Sequence, residues 1–416
     1  MRCERTRGST SAVVRTAVVA VLVVPLAVLA TACSDRVTTT KASPPPVRIG
    51  AIYNLSGGQS ALDVPSLDGA RLAVERINAR GGLLGRRVEL LERDGRTDET
   101  VVRRAAASLV AAGVSAIVGL SDTDQVLAAA PIAASAGVPF VTSGATSPRL
   151  PTEVPTWLFL ACFGDNAQAA ASAQYAIERL GARSAAVLYD TELDYSRLLR
   201  RYFERSFRAQ GGQVLASLGF KPTGDDAVAL LDDAGEAGRG GHAEGGTAAG
   251  ADVLFVAAAP DEAAALVRGL RRAGYDQPIM GGDSFDSDAL VHSAETTGGK
   301  VYFTTHAALG VSSASLAVRR FDASFEAVYG RPPQNAFAGL GYDAVGLVAA
   351  AIRRAGSLKP DAVRDAIQET QRYHGVTGTL SYQGDDRVPL KRVTMVCVGR
   401  RPVVVAQFTP GYVSEP

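Results

Sequence analysis

The stretch that decides the fold is Gly69–Asp98, which reads GARLAVERINARGGLLGRRVELLERDGRTD. Within it and just before it, apolar residues recur at helical spacing, namely at Leu67, Ala70, Val74 and Ile77. The segment Asn78–Gly82 ends this helix, because glycine readily takes the left-handed conformation at a helix C-terminus. Apolar runs at Val47–Tyr53 and Val88–Leu91 predict strands on either side of the helix. The stretch is therefore the centre of a β-α-β unit.

The alternation of strands and helices continues along most of the chain. Further strands are predicted at Ala116–Val118, Phe140–Thr142, Ala185–Leu188, Val214–Leu218, Val253–Val256 and Pro278–Met280. Helix-like sequence separates them, as at Tyr195–Ala209 and Asp261–Ala273, and Thr97 is the expected N-cap of the second helix. Such alternation predicts parallel sheets with helices on both faces, and two successive series predict two lobes. The glycine-rich segment 234–250 is expected to be a flexible surface insertion.

The first 33 residues are typical of a secretory leader. Four arginines precede the apolar segment Ala17–Leu29, which is shorter than the ~20 residues of a membrane span. The leader ends in LATAC at residues 29–33, which resembles a bacterial lipobox, although Ala30 stands where Leu, Val or Ile is usual. We expect cleavage before Cys33 and lipidation of Cys33; an ordinary secretory signal with a chance cysteine is the alternative. Residues 34–46, rich in Thr, Ser and Pro, would form a flexible tether.

The composition indicates a large globular body that does not bind nucleic acid. Hydrophobic residues make up 47% of the chain and charged residues 20%, and about 370 residues follow Pro46, enough for two domains. The formal net charge is only +1 and no basic patch stands out. Cys162 and Cys397 could form a disulfide in an oxidising compartment or remain free thiols, because the sequence does not fix the distance between them.

Several segments, in a fixed order, resemble one family. Gly69–Asp98 is similar to the first β-α-β unit of the leucine/isoleucine/valine-binding proteins, which are type I periplasmic binding proteins that serve ABC importers. Later landmarks of that family follow in order as IVGLSDTD, VPFVTSGATSPRL, LYDTELDYS, IMGGDSFD and FAGLGYDAVGLVAAAIRRAG. The resemblance implies an α/β fold of two Rossmann-like lobes with doubly wound parallel sheets, joined by three hinge strands. The first lobe would comprise residues 47–164 and 305–376, and the second lobe residues 165–304 and 377–416.

The resemblance also assigns ligand contacts in the first lobe. Thr123 would present its hydroxyl to a ligand carboxylate, although a helix N-cap is the alternative role for this residue. Gly144 and Thr146, in the segment SGATS, would receive the ligand ammonium through a backbone carbonyl and a hydroxyl, and the Thr146 backbone N–H could also face the ligand carboxylate. Ser56, in the loop after the first strand, would line the cleft.

In the second lobe, the resemblance implies that Tyr195 closes over the ligand and that Asp283 pairs with its ammonium group through charge-assisted hydrogen bonds. A packing residue at a helix start and a turn residue are the alternative roles for these two. The chain departs from the family at Ala257–Ala259, where an aromatic side chain is missing, and at Leu160, where an arginine is usual. The first departure should enlarge the pocket or leave the contact to another residue. An amino acid or similar small polar solute remains the expected ligand.

Catalytic functions find little support in the sequence. GGDSFD at 281–286 is similar to a serine-hydrolase turn, but no histidine stands at the spacing of a catalytic partner. GLGYDAVG at 339–346 has the glycine spacing of a dinucleotide loop but belongs to a helical stretch, so helix packing is favoured. We therefore expect no enzyme, no metal and no cofactor.

Two functions remain open. The first is a monomeric lipoprotein that captures solute outside the cytoplasm and delivers it to an ABC permease in the membrane. The second is a sensory module, responsive to an amide or an amino acid, that signals to a membrane partner. The expected lipid anchor and the lack of a C-terminal membrane span in this sequence favour the tethered carrier. In both functions, ligand would drive closure of the two lobes.

Overall fold

The computed structural model describes residues 44–222, 228–231, 250–298, 300–310, 315–384, 386–399 and 401–409. The predicted signal peptide at 1–33, including Cys33, lies outside these residues, as do most of the tether at 34–46 and nearly all of the insertion at 234–250. The fold is therefore described from Pro44 onward.

The first sheet is wholly parallel and has the strand order β2-β1-β3-β4-β5. Its strands are β1 (Val47–Tyr53), β2 (Val88–Asp94), β3 (Ile117–Gly119), β4 (Phe140–Thr142) and β5 (Leu158–Leu160). Strand β1 is second in this order and pairs with both β2 and β3, and its pairing with β2 is the one that the β-α-β unit around Gly69–Asp98 requires. Parallel pairing aligns the carboxyl ends of these strands along one edge of the sheet.

The second sheet has seven strands in the order β14-β13-β10-β9-β8-β6-β7. They are β6 (Ser184–Asp190), β7 (Gln213–Phe220), β8 (Val253–Ala257), β9 (Ile279–Gly281), β10 (Val301–Thr305), β13 (Val393–Val398) and β14 (Pro402–Phe408). Neighbouring strands are parallel among β7, β6, β8, β9 and β10. Strand β13 is antiparallel to β10, and β14 is antiparallel to β13. The parallel prediction is thus confirmed for the strands that alternate with helices, and the antiparallel addition was not predicted.

Helices cover both sheets. They are α1 (Ser60–Ala79), α2 (Glu99–Ala111), α3 (Thr123–Ser135), α4 (Leu150–Glu153), α5 (Asp165–Glu178), α6 (Asp194–Ala209), α7 (Pro260–Arg272), α8 (Asp288–Thr296), α9 (Leu316–Tyr329), α10 (Ala336–Ala355) and α11 (Pro360–Gln368). A hairpin of β11 (Tyr373–Gly375) and β12 (Gly378–Leu380) follows α11. GLGYDAVG lies inside α10, so its assignment to a helix rather than a dinucleotide loop is confirmed.

Helix α10 belongs to the core of the first lobe. It is long and apolar enough to cross a membrane, but 78% of its most apolar window is buried within the fold. It packs closely against α1, because a Cβ added at Gly69 would lie 1.8 Å from the carbonyl oxygen of Ala338. A Cβ at Gly341 would likewise lie 1.8 Å from the carbonyl oxygen of Ser66. Two glycines thus let the helix backbones approach each other directly.

The start of α2 differs from the prediction. Asp98, not Thr97, is the N-cap of α2, and its carboxylate accepts a hydrogen bond from the Val101 backbone N–H. The Thr97 prediction was wrong because this residue has a φ of 53° and its hydroxyl donates to the Ser56 carbonyl instead. The Thr97 backbone N–H donates to the Asn54 side chain, which anchors the loop before α2.

Hinge segments connect the two sheets. The chain leaves the first sheet after β5 and enters the second through α5. It returns after β10, since α9, α10 and α11 pack against the first sheet's elements, and it then rejoins the second sheet at β13. Cys162, in the first of these segments, and Cys397, in β13, are both free thiols. The free-thiol alternative is therefore the one that the structure supports.

Candidate functional site

A small cavity lies where the carboxyl ends of the two sheets face each other. The first lobe contributes Gln59, Leu62, Ser121, Asp122, Thr146 and Phe337 to its lining, and the second lobe contributes Leu193, Tyr195, Ala259, Pro260, Asp283 and Ser284. Most of these residues follow directly after a parallel strand. Open α/β sheets bind their ligands at this edge, where loops and helix N-termini converge. The cavity is therefore the candidate ligand site.

The structure brings three of the predicted site residues together in this cavity, namely Thr146, Tyr195 and Asp283. Thr123 does not line it: Thr123 is the first residue of α3, and its buried hydroxyl has no hydrogen-bond partner among the described residues. Gly144 does not line the cavity either, and a Cβ added at this residue would come within 2.7 Å of the Phe337 ring, which does line it.

The two remaining predicted residues are Ser56 and Cys33. Ser56 is exposed and is not part of the cavity lining. Cys33 falls outside the described residues. The roles assigned to these two residues stay predictions.

The Asp283 side chain has three hydrogen-bond partners in the site, and it is only 2% exposed. Its Oδ1 accepts from the Tyr195 hydroxyl at 3.0 Å and from Gln168 Nε2 at 2.9 Å. Its Oδ2 lies 2.9 Å from His306 Nε2. The Tyr195 hydroxyl also lies 3.2 Å from the Ser284 hydroxyl, so Tyr195 and Asp283 form one network on the second-lobe side.

Hinge residues hold this network in place. The His306 ring, which follows β10 directly, stacks on Phe163 with a centroid distance of 3.8 Å. Gln168, on α5, accepts from the Thr304 hydroxyl at 2.6 Å and from the Asp283 backbone N–H at 3.0 Å. Sequence reasoning missed Gln168 and His306, because their contact with Asp283 joins residues far apart in the chain.

Asp122 is a second carboxylate in the cavity lining, and sequence reasoning missed it as well. It is the N-cap of α3, and its Oδ1 accepts from the Gln125 backbone N–H at 3.0 Å. Gln59 Nε2 lies 3.5 Å from its Oδ2. Burial raises the pKa of Asp122 to about 7, and repulsion from the neighbouring Asp124 carboxylate adds to this shift. The segment SDTD at residues 121–124 offered a signal for this role, because Asp is a favoured N-cap residue and Asp122 comes one residue before Thr123.

Much of the apolar part of the wall comes from residues that are distant in the chain from Ala257–Ala259. Phe337, at the start of α10, lines the cavity together with Leu62 and Leu193. The cavity has a volume of about 10 Å³, close to what one water molecule needs. The departure at Ala257–Ala259 left two expectations, a larger pocket or a contact made by another residue; Phe337 fits the second, and both stay predictions.

The two lobes are in contact across the cavity. Asp124 Oδ2, on α3, accepts a hydrogen bond from the Asp194 backbone N–H at the start of α6 at 3.2 Å. Asp286 Oδ2, in the second lobe, accepts from the Ala336 backbone N–H at the start of α10 at 3.1 Å. These contacts, with the small cavity, describe a closed conformation. An amino-acid-sized solute can enter only if these contacts open.

A larger cavity of about 910 Å³ lies near the hinge and is lined by His306, Val376, Lys391, Leu390 and Val404, among others. Its walls are formed by the hairpin and the antiparallel strands rather than by carboxyl ends of parallel strands. Because both lobes present strand-end loops to the smaller cavity, we place the candidate site there.

Buried carboxyl groups near the site should make the protein without solute more stable at pH 5 than at pH 7.5. Burial raises the pKa values of Asp63, Asp122 and Asp165 to about 7, compared with 3.8 for the unperturbed group. Between these values the folded chain holds more protons than the unfolded chain, so the free energy of unfolding falls as the pH rises through this window. Burial lowers the pKa of His306, which acts in the opposite direction, but three carboxyl groups outweigh one imidazole.

Urea unfolding, repeated every half pH unit from pH 5 to pH 7.5, measures this pH dependence of stability. We expect the urea concentration at the unfolding midpoint to fall steadily as the pH rises. The variant Asp63→Asn, which removes one of the three titrating groups, should flatten the slope. A midpoint that stays constant or rises with pH would contradict the assigned burial of these carboxyl groups.

Comparison with known proteins identifies the family. A family model described as periplasmic binding protein matches residues 46–401. The Leu/Ile/Val-binding protein homolog 3 of Brucella melitensis is 27% identical over 338 residues, which cover 81% of this chain and 87% of the relative.

Solved structures agree with this match. The leucine binding protein LivK of Thermotoga maritima is 29% identical, with a TM-score of 0.77, and the alignment covers 88% of this chain and 99% of that one. The branched-chain amino acid transporter substrate binding protein LivJ of Streptococcus pneumoniae, solved in complex with isoleucine, is 28% identical with a TM-score of 0.76 and covers 89% of this chain and 100% of that one.

Proposed function

This chain belongs to the periplasmic binding protein family, and we propose that it captures a small polar solute outside the cytoplasm for an ABC importer. Membership of this family implies an extracytoplasmic, non-enzymatic, solute-binding protein. The proposal adds the delivery step to a membrane permease and the mode of capture, which is closure of two lobes on the solute.

One observation carries the proposal: the candidate site is lined in equal parts by residues of both lobes. A solute that contacts Thr146 in the first lobe and Tyr195 in the second binds the closed form better than the open form. Ligand shifts a conformational equilibrium only through such a difference in affinity. Closure would then present a lobe arrangement that a permease can distinguish from the empty, open protein.

The polar groups of the site favour a solute with an amino group. Asp283 is a buried carboxylate beside the Tyr195 and Ser284 hydroxyls, a set of acceptors suited to an ammonium ion. Charge-assisted hydrogen bonds of this kind are roughly twice as strong as neutral ones. The bound ammonium would add to the existing partners of Asp283, because a carboxylate offers about four acceptor positions.

A thermal-shift screen tests the proposed function. Amino acids, amides, amines, short peptides and small carboxylates would each be added to the mature protein. A true solute at 100 times its dissociation constant stabilises the folded protein by about 2.7 kcal/mol. The variant Tyr195→Ala should lose most of the shift, because it removes contact area and a hydroxyl from the second lobe. A screen without any stabilising compound would argue against solute capture.

We also propose that Cys33 carries the lipid that holds the mature protein at the membrane. In the variant Cys33→Ala we expect the protein to leave the membrane fraction, because lipid chains supply about 0.8 kcal/mol per buried CH₂ group. Fractionation followed by immunoblotting measures this, and Cys162→Ala, which changes a buried cysteine of the body, is the matched control. Equal membrane retention of Cys33→Ala and the unmodified sequence would contradict the lipid anchor.

A further inference from the structure

The two lobes present a carboxylate each to the candidate site. Asp283 comes from the second lobe and Asp122 from the first, and they are 2% and 4% exposed, respectively. Asp283 already pairs with His306 and accepts from Gln168 and Tyr195. Asp122, in contrast, accepts from two backbone N–H groups, that of Gln125 at 3.0 Å and that of Asp124, and has a distant contact with Gln59 at 3.5 Å. Because a carboxylate offers about four acceptor positions, Asp122 can accept a further hydrogen bond from a solute.

Asp122 also occupies the place where a solute carboxylate would bind. A helix N-terminus at the edge of a cavity is a natural site for an anion, because its backbone N–H groups point outward. Here the N-terminus of α3 is capped by the Asp122 carboxylate, which accepts from the Gln125 N–H. A solute carboxylate at this place would lose that donor, and above about pH 7, where Asp122 is mainly ionised, it would also meet a negative charge.

Among the described residues, none that lines the cavity supplies a cation that could reverse this preference. None of the twelve residues that line it is Lys, Arg or His. The nearby His306 is paired with Asp283 through Nε2, and Lys391 donates to the Ala161 carbonyl at 2.9 Å and to the Thr377 hydroxyl at 2.5 Å. The other polar side chains of the lining carry hydroxyl groups or, at Gln59, an amide. Each of these groups can either donate a hydrogen bond to a solute or accept one from it.

We propose that the solute is a small amine without a carboxylate, with a second hydrogen-bond donor, such as an amide or a second ammonium, that faces Asp122. This inference rests on the proposed function and specifies the solute class of the same site. An amino acid amide and a short diamine both meet the requirement. A free amino acid meets it at Asp283 but not at Asp122.

Isothermal titration calorimetry with leucine, leucinamide and 1,4-diaminobutane tests the inference. Leucine and leucinamide differ only in whether the second end is a carboxylate or an amide. We expect leucinamide or the diamine to bind the mature protein at least about tenfold more tightly than leucine, as charged hydrogen bonds allow. In Asp122→Ser the preference should move toward leucine by a similar factor.

Serine is the chosen replacement because it is also a good N-cap, so α3 should remain intact. Asp122→Asn is a second variant with the same property, and the melting temperature of each variant verifies folding. The matched control is Glu204→Gln, which changes a buried carboxyl group on α6 that does not line the cavity and does not join the two lobes. This control should leave the ratio of leucinamide to leucine affinity unchanged.

Leucine binding as tight as leucinamide binding to the unmodified protein would overturn the inference and leave the proposed function intact. An unchanged ratio in Asp122→Ser would also overturn it, because Asp122 would then not face the solute. If none of the three compounds binds, the inference is wrong, and the proposed function fails only if the wider thermal-shift screen is negative too.

Discussion

Replacing Asp283 by asparagine is expected to weaken solute binding by about 1.5–3 kcal/mol, the range for hydrogen bonds to charged groups. In the proposed function, the carboxylate supplies the negative charge that a solute ammonium group would require. It also accepts from Tyr195, Gln168 and His306 at once. An asparagine amide has only one oxygen, so its NH₂ group must face at least one of these donors. The site would lose both its charge and the alignment of Tyr195.

Calorimetry with the best solute of the screen gives the affinity, and thermal unfolding shows whether the variant still folds. Tyr195→Phe is the matched control, because it removes a hydroxyl that donates to Asp283 but leaves the carboxylate in place. We expect a smaller loss for Tyr195→Phe than for Asp283→Asn. An unchanged affinity in a folded Asp283→Asn protein would mean that no ammonium group binds at this residue.

Replacing Gly341 by alanine is expected to destabilise the protein by at least about 3 kcal/mol, the upper end of the range for overpacked cores. The new Cβ would lie 1.8 Å from the Ser66 carbonyl oxygen, and the reciprocal contact at Gly69 prevents the helices from adjusting locally. Because the obstacle is backbone, α1 and α10 must move apart. The gain of about 1 kcal/mol in helix propensity cannot offset this.

Urea unfolding measures the effect, with Gly269→Ala as the matched control. Gly269 also lies within a helix, but the contact of its Cβ would be the Val228 side chain at 3.0 Å, which can move. We expect the control to change the free energy of unfolding by less than about 1 kcal/mol. Equal stabilities of the two variants would show that α1 and α10 do not pack through Gly69 and Gly341.

The fold could be predicted from the sequence because its signals are local. Strands Val47–Tyr53 and Phe140–Thr142 have the predicted bounds, since short apolar runs between turn residues determine them. Helix α6 begins at Asp194, one residue before the predicted Tyr195. The antiparallel β13 and β14 escaped prediction because no helix separates them, so they do not share the alternating pattern.

The site could be predicted only in part. The family resemblance indicated Thr146, Tyr195 and Asp283, and all three line the cavity. Each follows a parallel strand, which explains its place at a sheet edge. His306 and Gln168 reach Asp283 from chain separations of 23 and 115 residues, which no local pattern encodes. Asp122 was missed for a different reason, since the N-cap of α3 is one residue earlier than the hydroxyl that the resemblance indicated.

A crystal structure of the mature protein with its solute tests the central claim most directly. We predict density for one solute molecule in contact with Thr146 or Asp122 on one side and with Tyr195 and Asp283 on the other. A solute that touches residues following the strands of one sheet alone would contradict capture by closure of the two lobes.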